Sequence, residues 1–172
     1  MIIKNIRDVK EKKWSGGITR ELYKDKEDFN IRISCAEINP GISNFSDFTG
    51  YNRILKILEN QVILERGEQV VYLDKKNSFA FDGSERILSK SKHPVLDFNV
   101  IYKKDLISVT LKEVTGKTRI STGNNLLLLS KEDNTILETK DSARNLKKYD
   151  FTTIKGESII SISGDCLVVL WS

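Results

Sequence analysis

Histidine is almost absent from this 172-residue chain, which carries only His93. A catalytic zinc or iron site of ordinary design draws on several histidines, so one in the loop-like "SKHPV" argues against a metal centre. The same shortage argues against a serine-hydrolase triad, and no G-x-S-x-G elbow is present. Only two prolines and two cysteines occur. Cys35 and Cys166 each fall in a strand-like apolar segment, and with no secretion signal both are expected to be buried free thiols. Long apolar runs are missing too: Leu126–Leu129 and Cys166–Trp171 are far shorter than a membrane span, so no membrane is expected as a partner. Met1 leads directly into "MIIKNIRDVKEKK", without a secretory pattern, and the expected address is cytoplasmic. A concentrated basic face is also lacking. The net charge of +4 comes from lysine pairs scattered among acidic neighbours, which argues against nucleic acid as a partner.

What is present is a succession of short strands and turns. "FNIRISCAEI" puts Phe29, Ile31, Ile33 and Cys35 on one face and Arg32, Ser34 and Ala36 on the other. "RILKIL", "QVILER" and "EQVVYL" read as consecutive strands, and "SFAF" reaches a turn at Asp82-Gly83 with "ERILS" as the return strand. The second half repeats the habit through "VLDFNVIY", "LISVTLKEV", "NLLLLS", "SIISIS" and "CLVVLW". Ser142–Tyr149 is the one stretch that reads as a short helix or a loop. About a dozen strands with frequent turns predict an all-β sandwich or barrel. "TGKT" at Thr115–Thr118 mimics the end of a P-loop, but Leu111 stands where that motif needs glycine, so Gly116 is read as a hairpin turn.

Lysines outnumber arginines 20 to 8, which makes arginines in apolar strands conspicuous. Alternation sets Arg53 beside Leu55 and Ile57, and an arginine on an apolar face needs an anion near it. Asp97 and Asn99 share one face of "VLDFNVIY". Two readings stay open on pattern alone. Arg20, Arg32 and Arg53 form an internal ion-pair network with Glu21, Glu37 and Asp97, or the arginines serve a ligand pocket.

The blocks "WSGGITREL", "FNIRISCAEINPGISNFSDFTGYNRILKILEN", "FDGSERILS" and "LDFNVIYKK" resemble the successive signatures of the HutD/Ves family, over Trp14 to Lys104. The resemblance implies a cupin-like double-stranded β-helix or barrel with two such halves in one chain, a bicupin, of approximate extent 1–93 and 94–172, and a dimer. It further implies a small acidic metabolite as ligand and a role in modulating histidine utilisation; from the shortage of histidine, neither metal nor other cofactor is expected. Matched positions include Trp14, Gly16, Gly17, Thr19, Arg20 and Glu21, then Arg32, Ser34, Glu37, Phe45, Ser46 and Arg53, then Asp82, Gly83 and Asn99. Asn52 departs from the pattern, where family members commonly place an aspartate, and its amide leaves Arg53 without an adjacent acid.

The expected site therefore comprises Trp14, Thr19, Arg20, Glu21, Arg32, Ser34, Arg53 and Asn99, with Gly16-Gly17 bringing backbone close to the ligand. Arg32 and Arg53 clamp a carboxylate, for which urocanate, formiminoglutamate and formylglutamate are the candidates. The alternative is a metal-independent isomerase or hydrolase on a small acidic substrate, using Glu21, Glu37, Asp82 or His93 as acid or base. A third class of function, action through a protein partner, would leave the arginines purely structural.

Overall fold

The computed structural model describes every residue except Asn124 and Glu157. The strands are β1 (Lys4–Asn5), β2 (Glu11–Trp14), β3 (Gly17–Lys24), β4 (Ile31–Ile38), β5 (Gly41–Asn44) and β6 (Tyr51–Glu59). Next come β7 (Val62–Arg66), β8 (Gln69–Leu73), β9 (Ser78–Asp82), β10 (Leu88–Ser91) and β11 (Val95–Lys103). Then follow β12 (Val109–Val114), β13 (Lys117–Thr122), β14 (Asn125–Ser130) and β15 (Thr135–Glu138). The last are β16 (Ala143–Leu146), β17 (Asp150–Ile154), β18 (Ser158–Ser163) and β19 (Cys166–Trp171). Among the described residues the helical content is one 3₁₀ turn at Ile6–Asp8, so the all-β expectation holds. No helix is long and apolar enough to cross a membrane.

The chain divides into two compact units, Lys10–Ile107 and Met1–Val9 with Ser108–Ser172. The boundary differs from the expected 93/94 because β11 is the central partner of the first unit, paired antiparallel with β4 on one side and β6 on the other. The first nine residues also change sides, since β1 pairs with β17 and the Asn5 side chain donates to Asp150 at 2.8 Å.

In the Lys10–Ile107 unit, a six-stranded sheet runs β2-β3-β4-β11-β6-β9 and a four-stranded sheet runs β5-β10-β7-β8. Alternation along β4, β6 and β11 sends Ala36, Ile38, Leu55, Ile57 and Val95 into a core shared with Leu64 and Leu73. The opposite face of β4 is buried as well, with Ile31, Ile33 and Cys35 fully covered. Arg32 and Ser34 thus share the face that carries Ala36 and Ile38 into the interior. Both cysteines are buried and free, as expected.

The other unit repeats the plan with a five-stranded sheet, β1-β17-β14-β19-β12, and a four-stranded one, β13-β18-β15-β16. Its core is aliphatic, built on Leu126, Leu128, Leu137, Ile160, Ile162 and Val168. Ser142–Tyr149 is neither helix nor plain loop, because Ala143–Leu146 pairs with β15 as a strand and buries Leu146.

Two turn signals prove to be corners. β9 pairs with β6 whereas β10 pairs with β5 and β7, so the turn at Asp82-Gly83 passes the chain between sheets. Gly116, at φ +68°, does the same between β12 and β13, which pair with β19 and β18 respectively. In contrast, β7 and β8 form a true hairpin across Gly67, at φ +59°.

Candidate functional site

The site grows from the β2–β3 hairpin, where Trp14 pairs with Gly17 across the two-residue loop Ser15-Gly16. A Cβ on Gly16 would overlap the Trp14 indole, and one on Gly17 would overlap the Glu37 carbonyl. The two glycines therefore seat the indole and dock β3 on β4, a correction to the expectation that they bring backbone to a ligand. Gly83 has a similar duty. A Cβ there would strike the Phe48 carbonyl, and its backbone exchanges 2.8 Å hydrogen bonds with Phe48 and Tyr51. The corner after β9 thus fixes the loop that carries Phe45, Ser46 and Phe48.

These elements enclose a cavity of about 260 Å³. Trp14 and Thr19 line it from the hairpin, Arg32 and Ser34 from β4, Arg53 from β6, and Asp97 and Asn99 from β11. Six of the eight expected side chains are brought together here. Two are not. Arg20 sits opposite Cys35 on the other face of the sheet, bonded to Glu37 at 2.6 Å and Glu11 at 3.2 Å. Glu21 lies on the cavity's face of the sheet but outside its lining, where it holds Arg32 Nε at 2.9 Å. A register shift between Glu21 and Tyr23 accompanies this placement.

The ion-pair reading is therefore half right. Arg20 and Arg32 have carboxylates; among the described residues Arg53 forms no ion pair. The residue is 4% exposed, with its guanidinium packed against Phe45, Phe48 and Phe81 at 4.9, 5.4 and 5.0 Å from the ring centres. Nη1 donates to the Ser46 carbonyl at 3.2 Å, while Nε is buried with no partner. Burial lowers its pKa to about 10, with Asp97 acting against that shift and Arg32 with it. The Asn52 departure has no bearing on this guanidinium, since neighbouring strand residues face opposite ways and Asn52 is not part of the lining.

The sequence pattern offers Asp97 only as an ion-pair partner, whereas the structure sets it in the cavity lining. Alternation with Asn99 was the available signal. Asp97 accepts the Ala36 N–H at 3.0 Å, and burial raises its pKa to about 7, against the pull of that bond and of Arg53. The register of β6 against β11 slips between Leu96 and Asp97, placing a bulge beside the carboxyl. Two further atoms, Trp14 Nε1 and Asn99 Oδ1, are buried without partners. A buried polar atom left unpaired costs about 1–3 kcal/mol, so these three, Arg53 Nε included, leave the residues of one cavity with unmet hydrogen-bonding capacity.

The expected acid–base pool lies elsewhere. Glu21 and Glu37 are tied to arginines, and none of the four lines the cavity. Asp82 is paired with Lys104 and accepts from Ser84, which hold its carboxyl well below the usual range. His93 is exposed in a bend. Among the described residues no three His, Cys, Asp or Glu side chains are grouped to hold a metal ion. Two larger open grooves, of about 850 and 680 Å³, contain no buried charged side chain.

Comparison with known proteins places the chain in a family. The HutD family model matches residues 6–169. HutD from Pseudomonas fluorescens, solved in a formate condition, superposes with a TM-score of 0.89 at 26% identity, covering 99% of this chain and 97% of that one. A conserved protein of unknown function from Pseudomonas aeruginosa gives 0.85 at 24% identity, with coverage of 99% and 97%. A cupin 2 conserved barrel domain protein from Leptotrichia buccalis gives 0.69 at 6% identity, covering 99% and 95%, a likeness of fold alone. Among curated proteins none matches the chain. The chain belongs to the HutD family, and its fold is cupin-like.

Proposed function

We propose that this HutD-family chain is a binding protein for a small carboxylate metabolite, with Arg53 as the principal anchor. The observation that carries the reading is the Arg53 guanidinium, buried beside a cavity with Nε unpaired and no carboxylate bonded to it. A carboxylate there gains charge-assisted hydrogen bonds of about 1.5–3 kcal/mol each, in surroundings where water competes poorly. Arg32, steadied by Glu21, adds positive potential, while Thr19, Ser34 and Asn99 orient the ligand and Trp14 supplies a wall. At about 260 Å³ the cavity falls just below the usual range of drug-sized sites, which suits a small metabolite. Urocanate, formiminoglutamate and formylglutamate are the candidates that the family suggests, and modulation of histidine utilisation is the role that follows from them.

Isothermal titration with these three acids tests the reading, with Arg53→Gln alongside. The expected loss on Arg53→Gln is about 2–5 kcal/mol, or roughly 30- to 5,000-fold in Kd. Equal affinity in the two proteins would remove Arg53 from the site.

One observation favours a second reading, an enzyme acting on the same acid. A carboxyl with a pKa of about 7 inside a cavity is suited to give and take protons near neutrality. Incubating each acid for hours with a hundredth part of protein separates the two, since turnover depletes the acid and stoichiometric binding does not.

A further inference from the structure

The Asp97 carboxyl is hydrogen-bonded through one oxygen only. Oδ1 accepts the Ala36 N–H, and the other oxygen has no partner among the described residues. The residue is 2% exposed, yet it belongs to the lining of the cavity that Arg53 and Asn99 share. An ionised carboxylate in this position offers no donor to a guest. It would also set a second negative charge beside any bound anion, in a sheltered space where such repulsion is strong.

We infer that Asp97 is the specificity-determining proton holder of this site: a carboxylate enters as its anion, one proton is taken from solvent onto the free oxygen of Asp97, and the resulting O–H donates to the bound carboxylate. This inference rests on the carboxylate reading above. The balance is simple, because no covalent bond to the ligand changes and the complex gains one ligand and one proton. The guest carboxylate then meets donors on two sides, Arg53 Nε–H and the Asp97 O–H. Two carboxyl groups sharing one proton satisfy each other where two anions would not.

The charged and titratable surroundings of Asp97 favour this state. Arg53 faces it from β6, where its positive charge holds the guest. From β4, Arg32 lines the same cavity, its charge partly offset by Glu21 of β3. Cys35, also on β4, is buried and held as the neutral thiol, with Arg20 of β3 beside it committed to Glu11 and Glu37. Lys12 of β2 lines the cavity and adds no acid. Burial already brings the Asp97 pKa to about 7 in the empty site, so an arriving anion has only to push it higher.

The consequence is selection of acid over amide. The carboxamide analogue of the same ligand presents an N–H₂ group that prefers ionised Asp97, so its affinity should not fall as pH rises. The carboxylate's affinity should.

Formylglutamate is a suitable probe because its own carboxyls are ionised throughout pH 6.5–8.5. Titration of the intact protein at pH 8.5, in phosphate and in Tris, should reveal uptake of close to one proton per ligand through the difference in observed heats. Between pH 6.5 and pH 8.5 the Kd should rise by ~20-fold. In Asp97→Asn, whose amide oxygen can still accept the Ala36 N–H, binding should persist with no proton uptake and a flat pH profile. Should that variant fail to fold, the wild-type heats in the two buffers carry the test alone. Binding without proton uptake, and with a flat wild-type profile, overturns the inference and leaves the carboxylate reading standing. Absence of binding by formylglutamate, urocanate and formiminoglutamate at every pH overturns both.

Discussion

The two units are built on one plan, a larger antiparallel sheet facing a four-stranded one, yet their interiors differ in chemistry. The unit of Met1–Val9 with Ser108–Ser172 fills its core with aliphatic side chains such as Leu126, Leu128, Ile160 and Val168. The Lys10–Ile107 unit places Arg53, Asp97 and Asn99 on strand faces that elsewhere carry Leu55, Ile57 and Val95. Polar groups buried without full hydrogen bonding oppose folding, and a unit of this plan evidently can be built without them. The contrast is why the proposed binding site is assigned to the first unit, while the second shows a dry aliphatic core. It also explains why the expected network of ion pairs is incomplete: Arg20 and Arg32 are structural in their pairing, and Arg53 is held open.

The largest effect should come from the dry side of the comparison. Leu128 is fully buried among other aliphatic side chains, and Leu128→Ala should cost about 2–5 kcal/mol in urea denaturation. The fraction that remains folded should bind formylglutamate with unchanged affinity. A fall in that affinity would break the division of labour between the units. On the wet side, Arg53→Gln should reverse the ranking, with binding reduced by about 2–5 kcal/mol and stability altered by less than about 1 kcal/mol. The removed charge has no ion-pair partner to abandon, which is why folding should tolerate the change.

Asp97→Asn sharpens the contrast through pH. The folded-state pKa of Asp97 is raised from 3.8 to about 7, so the stability associated with its neutral form is full below pH 4 and lost as pH rises towards 7. The asparagine variant has no such loss. Its stability relative to wild type should therefore climb between pH 4 and 7, by about 2–4 kcal/mol, and stay level above. Urea denaturation at pH 4.5 and pH 8 measures the difference. An equal gap at both values would show that ionised Asp97 is not penalised by burial.

How far the sequence led depends on the range of the interaction involved. Strand alternation is local, and it placed Arg53 with Leu55 and Ile57 and set Asp97 with Asn99 on one face. Sheet partners are not local. Nothing near Val95 announces that β11 will insert between β4 and β6, so the sequence pattern puts the boundary of the units earlier than the structure does. Turn residues are legible as turns, but Gly83 and Gly116 look the same whether the chain reverses into a hairpin or passes to another sheet. The glycines beside Trp14 suggest backbone freedom, whereas their use is steric, to admit an indole and a carbonyl. Phe45 and Phe48 gave no sign of stacking on Arg53, because they lie in a loop where no periodicity applies.

Arg20 gives the smallest expected effect and the most exacting check on the geometry. It stands next to Glu21 in one of the signature blocks, and from sequence either could have faced the ligand. The structure puts Arg20 on the far face, where Glu11 and Glu37 hold it at 3.2 and 2.6 Å while both carboxylates remain about half exposed. Such pairs contribute about 0–1 kcal/mol, and salt weakens them further. Arg20→Gln should therefore lower stability by less than about 1 kcal/mol at low salt, with a smaller loss at 0.5 M sodium chloride. Affinity for formylglutamate should stay within about twofold of wild type, since the cavity-facing partner of Arg32 is Glu21. A tenfold loss of binding in Arg20→Gln would mean that the far face of β3 communicates with the cavity, and the separation of structural from ligand-holding arginines would have to be redrawn.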